Sequence, residues 1–146
     1  MNREILFKAK RRDNGKWVEG YYCKLDETTY CISEDYERHP VPTHHYILYE
    51  TMTDWGLPNR FLQFEIDPDT LCQYIGLTDK NGQKIWENDI AHIRSSGLSG
   101  YGVVKYQNGN LVLVDEKRKR TYSLYGEWKI RKDGNIFDNA DLLEVE

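Results

Sequence analysis

The chain is 146 residues long, with a formal net charge of -4, 39% hydrophobic and 30% charged residues, and a mean hydropathy of -0.77. That length suits one domain whose core needs no disulfide or metal staples. The lack of any run of about 18 apolar residues excludes a membrane-spanning helix. Eleven Tyr, four Trp and four Phe favour strands over helices, because flat side chains pack well on a pleated surface.

Charge is unevenly spread. Residues 1–24 carry seven basic and three acidic side chains, residues 25–75 two and ten, and the remainder eleven of each. A basic start followed by an acidic middle is not the overall basic signature of a nucleic-acid-binding domain. The opening residues lack the long apolar core of a secretory signal, so a cytoplasmic address is expected. Cys23, Cys31 and Cys72 include no Cys-x-x-Cys pair and no His at zinc-ligand spacing. Reduced thiols are expected, with Cys23 and Cys31 placed to face each other across a hairpin.

Taken in order, residues 5–8 predict a short edge strand and Asp13-Asn14-Gly15 a tight turn. Trp17, Val18, Tyr21 and Tyr22 belong to the returning strand, where Gly20 marks a bulge or a close backbone approach. A turn at residues 26–28 leads to an alternating strand over 29–32, completing a three-stranded meander. Residues 33–45, with two prolines and the His44-His45 pair, read as the least ordered segment, and the order of 33–59 is left open. Strands resume at 46–49 and, after a Gly- and Pro-containing loop at 53–59, at 60–66, the latter read as buried on one side.

Asp67-Pro68-Asp69-Thr70 has the form of a helix start, with an Asp cap and Pro at the first position. Leu71, Tyr74 and Ile75 recur at helical spacing and Gly76 suits a left-handed stop. A helix of about two turns is therefore expected. Residues 74–90 follow, with a chain reversal at Asp79 to Gly82, apolar anchors Ile85 and Trp86, and an acidic turn from Glu87 to Asp89. A strand at 90–93, a small-residue loop at 95–100, and a hairpin joining 101–106 to 111–114 through Asn108-Gly109 come next. Two further strands lie around Gly126, and Ile136, Phe137, Leu142 and Leu143 close the chain. About five short strands without a long helix suit a small SH3-like barrel, with an OB-like barrel as the nearest competitor.

Asp79, Glu87 and Asp89 are the one carboxylate cluster with the chemistry for a cation or an acid–base pair. Their spacing fails the calcium-loop pattern, and Asp-Lys-Asn-Gly has β-turn chemistry, so they read as turn residues. On that reading Asp79→Asn costs little and Trp86→Ala unfolds the barrel. His44 and His45 point to opposite faces of a strand and are poorly placed to share one metal. No nucleophile elbow, phosphate loop or dinucleotide fingerprint is present. Lys117, Arg118, Lys119 and Arg120, with Tyr122 and Tyr125 beyond, form the sharpest basic run, suited to a phosphate backbone with stacked bases. Asp115 and Glu116 just before it weaken the field.

Four blocks resemble the YopX family of mainly phage- and prophage-encoded proteins: residues 5–10 with Gly15 to Tyr21, the stretch 70–90, Gly102-Val103-Val104-x-Tyr106 with Asn108-Gly109, and Gly134 to Asn139 with Leu142-Leu143. Asn88 and Ala9 stand where the family usually has Gly. The resemblance implies a phage origin and a β-rich fold and carries over no catalytic residue.

The chain is accordingly read as one YopX-like domain over 1–146, α+β but predominantly β. It has an N-terminal β-meander lobe (1–75, with a short helix) and a C-terminal small SH3-like barrel (76–146). The expected role is a phage or prophage accessory protein of the host cytoplasm that binds or self-associates, without catalysis, cofactor, metal or membrane. Its expected partner is a second copy, a host protein or a phage protein. The second reading is a nucleic-acid-binding module using Lys117, Arg118, Lys119, Arg120 and Tyr122.

Overall fold

A computed structural model describes residues 1–125 and 128–144. Gly126, expected between two strands, lies outside the described residues. The protein is predominantly β and divides into two compact units, Leu6–Leu71 and Cys72–Glu146 with Met1–Ile5.

In the first unit, β1 (Phe7–Lys10) and β2 (Trp17–Asp26) form the expected hairpin, and β2 continues along β3 (Thr43–Thr51), which pairs with β4 (Arg60–Glu65). The sheet curls until the ends of β1 and β4 meet: Arg11 bridges Ile66, Arg12 N–H donates to the Glu65 carbonyl, and Asp67 N–H to that of Lys10. Ala9, Val18, Ile47 and Ile66 are buried inside, with Phe7, Tyr22, Phe64 and Leu71 packed against them. Gly20 is the predicted close approach, since a Cβ there would overlap the Leu48 carbonyl.

Several expectations fail in this unit, the first because the edge of β2 is already occupied. Residues 29–32 form no strand, because β3 pairs with β2 from Tyr21 to Asp26. The connection instead carries a short helix, α1 (Ser33–Arg38), within the segment expected to be least ordered, and the Tyr30 and Tyr36 rings meet edge-on at 5.0 Å. Cys23 faces Tyr46 rather than Cys31, which is exposed, and all three cysteines are thiols. β4 is not buried along its length; Phe61 and Leu62 are 58% and 48% exposed.

The second unit begins with β5 (Cys72–Thr78), preceded by a 3-10 turn at Pro68–Thr70. The helix start is real, for Asp67 caps the turn by accepting from Asp69 N–H. The helix is not: Leu71 is already extended, and Tyr74 and Thr78 pair with β6 (Lys84–Trp86) across a register shift that contains Gly76 at φ 87°. Three apolar residues fit a helical and a strand period alike, and the aromatic and β-branched side chains here take the strand.

β7 (Asp89–Ser95), β8 (Leu98–Gln107), β9 (Asn110–Asp115), β10 (Arg120–Ser123) and β11 (Lys129–Asn135) form a five-stranded antiparallel sheet in the order β10-β9-β8-β7-β11. The closed SH3-like barrel is therefore not formed; among the described residues β10 and β11 end an open sheet. Residues 95–100 are not a loose loop but a tight hairpin, with Ser96 and Gly97 at φ 45° and 85° between the facing Ser95 and Leu98. Those angles are the two left-handed central residues of the turn that matches strand twist. Asn108 and Gly109 make the predicted equivalent between β8 and β9. One face of the sheet buries Ala91, Ile93, Val104, Leu113 and Ile130 with Ile85 and Leu124. A 3-10 turn at Ala140–Leu143 closes the described chain.

Candidate functional site

The acidic stretch is turn machinery. Asp79 Oδ1 accepts from Asn81 N–H at 2.8 Å and Gln83 N–H at 2.9 Å, locking the reversal between β5 and β6. Burial pushes its carboxyl up, but the backbone N–H groups of Gln83, Asn81 and Lys132 and the Lys132 charge outweigh this and hold it below the ordinary range. Glu87 Oε1 accepts from Gln73 N–H. Asp89, fully buried, accepts from Trp86 N–H at 2.8 Å and lies 3.2 Å from Lys132 Nζ. The three carboxylates thus turn to different backbone partners. Asn88 between them takes φ 68°, which Asn tolerates best among residues with a Cβ.

The histidine pair also separates as strand alternation requires. His45 stacks on Tyr22 and meets its hydroxyl at 2.6 Å, while His44 bridges Glu27 and Glu65 on the other face. The hydrogen bond to Glu27 leads the effects that raise the His44 pKa; partial burial opposes it, and Glu65 adds to it.

Lys117, Arg118, Lys119 and Arg120 are exposed and span the β9–β10 turn. Their field is not uniform. Arg118 donates its backbone N–H to the buried Asp115 and sets its guanidinium 3.5 Å from the same carboxylate. Tyr122 is packed under Gly100 and edge-on to Trp128 at 6.3 Å, so its ring is part of the core. Tyr125 is 66% exposed and donates to Asn110.

The tertiary structure assembles a different cationic group. On the sheet face opposite the core, Arg94 pairs in register with Lys129 and His92 with Arg131. Lys80 joins them where its N–H donates to the Ile130 carbonyl. These five side chains line a cleft of about 260 Å³. Asp133 bonds Arg131 and His92. Next along the same face, Tyr101 lies with its ring centroid 4.2 Å from that of His92. Tyr101 also lines a second cleft of about 390 Å³ with Val103, Val114, Leu143, Lys117 and Arg118. Burial, then the Asp133 charge, raises the Tyr101 pKa, and its hydroxyl donates to the Leu142 carbonyl. No contiguous motif announces this group, because its members are spread from Lys80 to Arg131. The available signal was Lys129/Arg131 and His92/Arg94, each two residues apart and hence on one side of a strand.

The first unit offers a surface of another kind. The β3–β4 hairpin exposes Tyr49, Met52, Trp55, Leu57, Phe61 and Leu62, with Met52 at 88% and Trp55 fully open.

The blocks that form these turns also decide the family. A family model described as YopX protein matches residues 6–144. The chain belongs to the YopX family. The turn at Asp79, the left-handed Asn88 and the Asn108-Gly109 hairpin are therefore features of a YopX protein, and in each the side chains serve the backbone. No curated protein matches the chain.

Proposed function

We propose that this YopX-family chain is a phage or prophage accessory protein of the host cytoplasm that acts by binding rather than catalysis, with a second copy of itself as its first partner. The observation that carries this is the β3–β4 hairpin, whose apolar side chains stand in water along β4, an edge that among the described residues has no strand partner beyond the Arg11–Ile66 bridge at its end. An exposed apolar patch beside an open strand edge is characteristic of an association surface.

The edge is self-complementary. Ile66 N–H donates to His45, so residues 60, 62 and 64 direct their main-chain groups at β3, and Phe61 and Gln63 direct theirs outward. Two such edges brought together by a two-fold axis at Leu62 pair Phe61 with Gln63 of the second copy, twice over. Leu62 then meets its own counterpart, and no like charges oppose each other.

Molar mass measured by light scattering across a wide concentration range is the test. The expected result is a dimer that Leu62→Lys converts to a monomer with an unchanged circular dichroism spectrum. A wild-type chain that stays monomeric at the highest concentration, or a dimer indifferent to Leu62→Lys, overturns the reading.

A further inference from the structure

We propose that the five-stranded sheet carries a binding face for single-stranded nucleic acid, with the phosphodiester backbone lying along Lys80, His92, Arg94, Lys129 and Arg131 and a base seated in the adjoining cleft against Tyr101.

The sheet carries an uncompensated electrostatic cost. Like charges directly opposite each other across antiparallel strands are destabilising, yet Arg94 faces Lys129. Asp133 lies with the neighbouring His92 and Arg131, where the Arg131 guanidinium also meets His92 Nδ1 at 2.6 Å, and Asp141 acts further along, at Tyr101. Among the described residues, Lys80, Arg94 and Lys129 have no carboxylate at ion-pair distance. Charges on a terminal strand also deter edge-to-edge pairing. That explains cations on β11 but not on β7, which lies inside the sheet between β8 and β11. An anion supplied from outside relieves the Arg94–Lys129 repulsion.

The neighbouring geometry selects the ligand. A phosphate alone needs the cations only, whereas here an aromatic ring abuts them and opens onto an apolar cleft of about 390 Å³. Val103, Val114 and Leu143 line that cleft, together with the acidic Asp115 and Glu116 and the basic Lys117 and Arg118. A basic track beside an aromatic on an open sheet is how unpaired strands are held, their bases free to stack. A duplex keeps its bases stacked inside and cannot use the cleft.

Fluorescence anisotropy with a labelled oligothymidylate of about 15 nucleotides tests this. Three to four phosphate contacts predict that affinity falls about 20- to 50-fold between about 50 and 200 mM salt. Arg94→Glu with Lys129→Glu is expected to weaken binding by at least about 10-fold at the lower salt, while Lys119→Ser with Arg120→Ser changes it by less than about 2-fold. Independently of any variant, bound oligonucleotide is expected to shield Lys80 and Lys129 from acetylation, read by mass spectrometry. Absence of binding at low salt, duplex bound as tightly as single strand, unshielded Lys80 and Lys129, or loss of binding through the Lys119/Arg120 variant instead each overturns the proposal.

Discussion

Lys132 joins two carboxylates that adjacent sequence alone would have left to each other. Its ammonium lies 3.2 Å from the buried Asp89 and its backbone reaches Asp79. Asp79 is consequently more than a turn former. The sequence reading expects Asp79→Asn to cost little, but a nearly buried carboxylate accepting several N–H bonds loses charge-assisted strength on becoming an amide. The expected cost is about 1–2 kcal/mol in chemical denaturation. Because the folded pKa is depressed, the contribution is complete above the ordinary carboxylate value of about 3.9 and is lost as pH falls through the folded value. Wild type and Asp79→Asn should therefore converge in stability at acid pH. A gap that stays constant down to the most acid pH would refute the assignment.

Hairpins are the elements most legible in the chain, because a turn encodes its own register. Asp13-Asn14-Gly15 and Asn108-Gly109 carry residues that accept left-handed backbone, and both turns form as expected. Ser96-Gly97 carries the same information in weaker form, since Ser is a less distinctive left-handed residue than Asn. What was not legible is which strands pair next. Residues 29–32 have strand composition, yet β3 takes the edge they would need. The candidate cationic face was hidden for the same reason: alternation places Lys129 and Arg131 on one side of β11, but only the β7–β11 register sets them opposite Arg94 and His92. Strand spacing also gives Gly102 a role that its sequence context does not declare. A Cβ there would overlap the Val114 carbonyl, so Gly102→Ala should separate β8 from β9 and destabilise the protein by about 1–3 kcal/mol. An unchanged denaturation midpoint would show that the strands yield without cost.

For the whole molecule, Trp86 is the sharpest test of where stability resides. It is 2% exposed and packs on Tyr74 at 5.6 Å, while its backbone N–H, which Ala would keep, donates to Asp89. Trp86→Ala should cost about 3–5 kcal/mol, seen as a large fall in the denaturation midpoint. A loss under about 1 kcal/mol would mean the site collapses around the smaller side chain.

Local chemistry in the sequence by itself determined the β-rich class, the family, the turns and most buried apolar positions, because propensity, alternation and turn residues act over a few neighbours. The tertiary structure alone decided that the five-stranded sheet is open among the described residues and that the segment after Thr70 is a strand. It also decided that a chain of net charge -4 gathers Lys80, His92, Arg94, Lys129 and Arg131 on one face. Each of these depends on which strand edges meet across long stretches of chain, and that choice is made by the burial of whole faces rather than by any single stretch of residues.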